Sequence, residues 1–335
     1  MNQCPQYTHL VVLPHLRVQN ANAVSSALTH GFPSMTAFLG LMWALERKAV
    51  AAGLEHLAFN AVGVVCHDWQ EMVTDGYVKA LRLTRNPKAL RPTRNPVDKD
   101  GSTAAIVEEG RIHLELSLVF AVHTDEWEPE QQTADLRTLA HLVADMRIAG
   151  GTVVPAALDT GNSYRSWIAD MRGDRWEGEF RRLRCRLLPG STLVERTELI
   201  GQRLEQLRAI SPQATRLDAW LSLARNDWHY VPDADDGKGR WVSSRSLQGG
   251  WIVPIAIGYG ALSELYPAGS VRNARDQTTP FRFVESLYSI GEWIGTHRLR
   301  HPDELLWWAD SQPDSGLYRC RNGYPPDGHP TPPAV

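Results

Sequence analysis

Residues 111–123 read RIHLELSLVFAVH. Ile112, Leu114, Leu116, Leu118, Phe120 and Val122 occupy every second position, with mostly polar or small residues between them. That period of two predicts a β-strand with one buried face, because successive side chains of a strand point to opposite sides. Toward the N-terminus, 10–13 (LVVL) and 58–66 (AFNAVGVVC) are short apolar runs that predict strands. The first is expected to stop at Pro14, which has no N–H for a ladder. Between these runs Met35, Phe38, Leu39, Met42 and Leu45 recur at helical spacing, with Ser34 as cap and Gly53 as terminator. Residues 17–33 read as a polar loop, and another strand is expected from Tyr77. On the C-terminal side Leu136, Leu139, Ala140, Val143 and Met146 predict a helix, followed by Gly150, Gly151 and a short strand at 152–154.

The order strand, helix, strand, strand, strand, helix, strand is close to the split βαβ, ferredoxin-like pattern, with an insertion between two paired strands; RNA-recognition domains share that pattern. The expected class is therefore α/β (α+β). Residues 1–155 form one unit with an insertion at about 84–111 between paired strands, and 156–335 form a mixed helical and strand region packing on it. Within that region 155–180 reads as irregular, 193–210, 215–226 and 281–295 as helices, and 232–240 as an exposed loop. Residues 250–257 (GWIVPIAI) predict a strand broken by Pro254, and 305–308 (LLWW) is an aromatic segment in which Trp307 and Trp308 could form an interface.

The 335 residues are 43% hydrophobic and 22% charged, enough to bury a sizeable core. A formal net charge of −3 excludes a uniformly basic nucleic-acid binder, so any nucleic-acid contact requires segregated charge. Only five of the basic residues are lysine (48, 79, 88, 99 and 238). Arginine's planar fork suits phosphate, but a GC-rich genome produces the same bias. Cys4, Cys66, Cys185 and Cys320 stand far apart, which excludes a zinc ribbon and fits reduced thiols in a cytoplasm. The N-terminus lacks a signal-peptide pattern and no apolar run is long enough to span a bilayer, so no membrane partner is expected.

Charge is concentrated at 84–101, TRNPKALRPTRNPVDKDG, where Thr-Arg-Asn-Pro occurs twice. Between Lys79 and Asp100 seven basic residues face two acidic ones. Each X-Pro step favours extended backbone, so the arginines are held out on an arm suited to phosphate and base-edge contact. The plainer alternative is a solvated hairpin tip. Arg17, Gln19, Asn20 and Asn22, with His30 and Phe32 nearby, form a second candidate, since Asn and Gln amides can read base edges or cap turns. A third is the run of arginines at 181–186, and a fourth is Arg272, Asn273 and Arg275 with Arg282 beyond, where Asp276 could pair with an arginine. No P-loop, nucleophile elbow or His-Glu-x-x-His zinc pattern occurs, and no catalytic set, metal site or cofactor is expected.

The segments 17–40, 93–118, 186–194 and 250–295, in that order, resemble the Cas family-five subunits of type I-F CRISPR complexes, members of the RAMP superfamily. The resemblance runs along nearly the whole chain. It implies a ferredoxin-like RAMP palm with an inserted thumb hairpin, and capture of the 5′ handle of crRNA without catalysis. It implies pairing with the large subunit of the complex, contact with an adjacent backbone subunit, and proximity to target DNA near the flanking motif. The RNA-binding residues it suggests are Arg17, Gln19, Asn20, Asn22, His30, Phe32, Arg85, Asn86, Arg94, Asn95, Lys99, Arg272, Asn273, Arg275 and Arg282. The doubled Arg-Asn-Pro departs from the single one of the family pattern, so Arg85 and Arg94 compete for the usual thumb position. Some relatives cleave repeat RNA, for which His15, His30 or His113 could act as base. A third reading is an assembly protein docking through Trp307, Trp308 and the 181–186 arginines.

Overall fold

The computed structural model describes residues 3–74, 89–90, 110–154, 165–232, 239–243, 250–274 and 276–326. The fold is mixed α and β around one large antiparallel sheet. Its centre is β1 (His9–Asn22), β2 (Ala58–Glu71) and β3 (Arg111–His123), with α1 (Met35–Ala51) and α2 (Pro129–Ala144) as the helices of this half of the chain. β3 lies in the middle, so that Phe120 is opposite Val11 of β1 and Val62 of β2. β4 (Gly151–Val154) joins the second half of β1, giving the order β2-β3-β1-β4. The first half of β1 pairs instead with β5 (Trp167–Asp170). The strand expected from Tyr77 and the arm at 84–101 lie almost wholly outside the described residues.

The α1 sequence folds as its spacing dictates. Ser34 accepts from the Thr36 amide at 3.3 Å, and Met35, Phe38, Leu39, Met42 and Leu45 are buried. Gly53 turns the chain at φ +87°. α1 and α2 cover one face of the sheet, packing on Leu13, Leu114, Leu116 and Leu118. α3 (Trp176–Arg186) covers the other with Phe180 and Leu183, set against Leu10, Val12, Val119 and Ala121. The alternation expected of β3 therefore holds only in its first half. From Leu116 to Val122 every residue is buried, because both faces are covered there.

β1 corrects the sequence reading: it does not stop at Pro14, and 17–22 is strand rather than loop. Between Leu13 and Leu16, and again between Val18 and Ala21, β1 advances three residues while β3 advances two. Each extra residue forms a bulge, with His15 at φ +51° and Asn20 at φ +57°. A bulge releases one residue from the ladder, so a proline is tolerated beside it.

The long strands of the second half of the sheet are β6 (Ser191–Glu195), β9 (Trp251–Ala261), β10 (Val284–Gly295), β11 (Leu306–Gln312) and β12 (Leu317–Asn322). The hairpin β7 (Trp228–Val231) and β8 (Arg240–Ser243) stands apart as its own two-stranded sheet. The run β6-β10-β9-β12-β11 is continuous, and both of its ends dock on β2. Leu306 and Trp307 of β11 lie opposite Gly63 and Val62, while Ser191 and Thr192 of β6 lie opposite Cys66 and Val65. Six strands thus close into a ring at a single edge of β2, since β3 holds the other edge. Gly63 permits the approach, because a Cβ there would stand 2.6 Å from Leu305 Cγ.

Three further expectations are corrected. The stretch expected as a helix at 281–295 is β10: the ring and the helices α4 (Glu198–Ile210) and α5 (Arg216–Ala224) cover its two faces, which erases the period of two. Leu287, Ile290 and Ile294 are left at helix-like spacing. The helix expected from 193 begins only at Glu198, after β6. Trp307 and Trp308 are 0% and 2% exposed, hence core rather than interface. The Trp307 indole N–H donates to the Leu193 carbonyl at 2.9 Å, bridging β11 to β6 where both dock. Trp307→Ala should lower stability by about 3–5 kcal/mol through reduced burial and an unpaired carbonyl, measured as the shift in urea midpoint at unchanged slope.

Candidate nucleic-acid interface

At the Arg111 end of the sheet α3 no longer covers the second face, and polar side chains reach solvent. Arg17, Gln19, Asn20, Asp68 and Gln70 are exposed. Arg17 lies opposite Glu115, Glu115 opposite Asp68, and Gln70 opposite His113. The Asn20 amide, displaced from the ladder by its bulge, donates to His113 Nδ1 at 3.2 Å. One arginine in register with two carboxylates gives this surface mixed charge. It can offer hydrogen bonds to a nucleic acid, but concentrated positive charge must come from elsewhere.

The first bulge builds a polar cluster beside this face. His15 and His67 stack with centroids 4.0 Å apart, and His15 Nδ1 lies 2.7 Å from Glu115 Oε1. His67 Nδ1 is 2.7 Å from the Pro189 carbonyl, which can only accept, so that nitrogen carries the proton. Its Nε2 then accepts from the Ser117 hydroxyl at 2.7 Å, and Ser117 Oγ accepts from the His15 amide at 3.0 Å. Burial pushes the His67 pKa below its ordinary value, which favours the neutral ring and Nε2 as an acceptor. Both nitrogens of His67 are engaged, and no group of three His, Cys, Asp or Glu among the described residues could hold a metal. Burial also pushes the Cys66 and Cys320 thiols up to about 12, so neither is a ready nucleophile.

On the α1 side of the same end lies a cavity of about 300 Å³. Its walls come from β2 (Cys66, His67, Trp69, Glu71), the turn before α1 (His30, Gly31, Phe32), β6, β9 (Trp251) and β10 (Trp293). Phe32 stacks on Phe38 and meets Trp293 edge-on at 4.9 Å, so its ring is a fixed wall. His30 Nδ1 bonds Glu71 at 3.1 Å, and this hydrogen bond raises the His30 pKa against the opposing effect of burial. Trp69 lines both the cavity and the cleft beside Arg17 and His113.

The structure thus brings Arg17, Gln19 and Asn20 to one face and His30 and Phe32 to one cavity. Asn22 is engaged locally: its Nδ2 donates to the Val24 carbonyl at 2.7 Å and its Oδ1 accepts from the Val24 amide at 3.2 Å. Arg272 and Asn273 lie on the long connection from β9 to β10, with Asn273 at φ +62°. Asp276 accepts the Thr278 and Thr279 amides at 2.9 and 2.7 Å, which holds its carboxyl below the ordinary range. Arg282 donates to the Pro313 carbonyl at 3.0 Å. Arg85, Asn86, Arg94, Asn95, Lys99 and Arg275 lie outside the described residues. Sequence reasoning missed Trp69, Glu71, Trp251 and Trp293. The available signal was Trp69 within His-Asp-Trp-Gln-Glu, a large aromatic in a run too polar to be core.

Among the 181–186 arginines, Arg182 pairs with Glu179 at 2.8 Å, Arg184 bonds the His297 and Leu299 carbonyls, and Arg186 lies over the Trp167 ring at 3.6 Å. No helix among the described residues is long and apolar enough to cross a membrane.

The family model described as CRISPR-associated protein (Cas_Csy2) matches residues 11–320. The chain is 42% identical over 320 residues to the CRISPR-associated protein Csy2 of Pseudomonas aeruginosa (strain UCBPP-PA14), covering 92% of this chain and 94% of that protein.

Because Glu71 raises the His30 pKa, their bond stabilises the fold most below the ordinary histidine value and that stabilisation disappears as pH rises through the raised one. Glu71→Gln should move the His30 midpoint down toward its ordinary value, read from imidazole proton shifts by NMR. An unmoved midpoint would show that the bond does not set it.

Proposed function

From its membership in the Csy2 family of CRISPR-associated proteins, to which the chain belongs, we propose that it is a non-catalytic subunit of a type I-F CRISPR surveillance complex that holds the 5′ handle of crRNA. The observation that carries this reading is the likeness to Csy2 along nearly the full length of both chains. The strand order β2-β3-β1-β4 with two helices on one face supports a ferredoxin-like RAMP palm. On this reading residues 1–155 are the palm with its thumb at about 84–111, and 156–335 the region packed on it.

The proposed RNA contacts divide by chemistry. Arg17, Gln19 and Asn20 supply hydrogen bonds along the open sheet face, Asn22 would join them only by releasing its bonds to Val24, and His30 and Phe32 stand at the cavity. The thumb residues Arg85, Asn86, Arg94, Asn95 and Lys99 supply the positive charge that the sheet face lacks. Its roots are β2, which ends at Glu71, and β3, which begins at Arg111, so the thumb springs from the end of the sheet that carries this face. Arg272, Asn273, Arg275 and Arg282 form a second basic contact. The proposed partners are the large subunit, the adjacent backbone subunit and target DNA near the flanking motif. In such complexes base pairing reads the target while protein reads backbone shape and a short flanking sequence.

Reversing Arg85 and Arg94 to Glu should weaken crRNA binding and flatten its salt dependence, by roughly 0.7 in log–log slope for each phosphate that is no longer neutralised. Binding titrations across a salt series test this, and an unchanged slope rules out the thumb as a phosphate clamp.

One observation favours a second reading, a repeat-RNA endonuclease: the hydrogen-bonded pair of His15 and Glu115, stacked on His67 beside Arg17, has the form of a general base with its orienting carboxylate. Incubation with precursor crRNA without metal separates the two readings. Intact RNA is the expected result, and cleavage abolished by His15→Ala would replace the first reading with the second.

A further inference from the structure

We infer that the cavity between β2, β9 and β10 is a pocket for one unstacked base of single-stranded RNA, an inference that rests on the RNA-binding reading above. Its volume of about 300 Å³ is at the small end of ligand cavities, roughly 300–1,000 Å³. That admits a flat heterocycle and excludes a helix or strand of a protein partner. The walls are aromatic and of two kinds. Phe32 and Trp293 are locked together edge-on at 4.9 Å and form a rigid side. Trp251 and Trp69 are 50% and 46% exposed, large indole surfaces left to solvent at the mouth. The Trp251 and Trp293 rings stand 6.1 Å apart at 45°, open enough for a planar group to reach the face of either. Bases stack on such rings whatever their sequence, because every base has a π-face.

The polar rim supplies orientation. With its Nδ1 turned to Glu71, His30 presents Nε2, which among the described residues has no partner. That nitrogen accepts when the ring is neutral and donates when it is protonated, and the Glu71 carboxylate favours the donor form. A protonated imidazole meets an acceptor on a base edge or an adjoining phosphate.

Position makes the occupant a nucleotide rather than an apolar side chain. Trp69 lines both the cavity and the cleft holding Arg17 and His113, which lie on opposite sides of the sheet, so a strand that turns over the sheet at Trp69 reaches from one to the other. Glu71 and Ile112, which also line the cavity, sit at the two roots of the segment carrying seven basic residues against two acidic. A chain clamped by that charge is brought to the pocket as polyanion.

The test uses the full chain and a fluorescent single-stranded RNA copying the 5′ handle of its own crRNA, together with versions carrying one abasic nucleotide at each position in turn. One abasic position should weaken binding by about tenfold. Trp251→Ala, at a half-exposed ring whose removal leaves the core intact, should weaken intact RNA by a similar factor without changing the salt slope. Combined with the sensitive abasic RNA it should cost nothing more, since both changes remove the same interaction. Multiplying effects, or intact RNA binding that no abasic position weakens, would overturn the pocket and leave the RNA reading standing. If unmodified RNA does not bind at all, the RNA reading falls and the pocket with it.

Discussion

The structure depends on the docking of two strands, distant in sequence, along one edge of β2. β11 meets Val62 and Gly63, and β6 meets Val65 and Cys66, next to one another on that edge. A strand edge is a row of unsatisfied amides and carbonyls that must be paired or covered. Here it is satisfied by the two ends of a single five-strand run, which closes the ring. Trp307 sits at the seam: its ring is fully buried and its one donor is engaged by Leu193 of the neighbouring strand. The same β2 is hydrogen-bonded along its other edge to β3, so the parts of the chain before and after residue 155 share one sheet.

That sharing decides where the molecule is open. α3 and the ring cover the second face of the central strands at one end, leaving the Arg111 end uncovered. Two bulges in β1 fall on this stretch and turn His15 and Asn20 out of the ladder. One places an imidazole against Glu115 and the other an amide against His113. The ring also brings Trp251 and Trp293 to the cavity that Trp69 lines. The polar face and the aromatic cavity are thus products of the same closure, seen from the two sides of the sheet.

Charge is held in check in the same way. The open face sets one arginine beside two carboxylates, and the arginines at 182, 184 and 186 are engaged by Glu179, backbone carbonyls and the Trp167 ring. In the C-terminal half the buried carboxylate of Glu292 is held by Arg196, which also bonds Glu198. A buried charge is tolerated only when paired and hydrogen-bonded in this way. Counting arginines in the sequence therefore overstates the charge available to a partner, and the Pro-braced segment between Lys79 and Asp100 is left as the strongest local excess.

The sequence by itself determined the elements whose pattern is local. The spacing of Met35, Phe38, Leu39, Met42 and Leu45 behind Ser34 specified α1, and the alternation through 111–123 specified β3, because a helix or half-buried strand writes its period directly into the chain. The charge excess at 84–101 is likewise written locally, in adjacent residues, though its structure lies almost wholly outside the described residues. Of the candidate site, His30 and Phe32 were visible as residues, though not the cavity they border. Only the tertiary structure decided that β10 is a strand, since an element covered on both faces loses its period of two. It alone kept β1 running past Pro14, because a bulge is defined by the partner strand. It also sorted the tryptophans, sending Trp307 and Trp308 into the core and Trp69 and Trp251 to the cavity mouth. A ring's environment depends on which distant strands close over it, and that information is held in the closure of the sheet at β2.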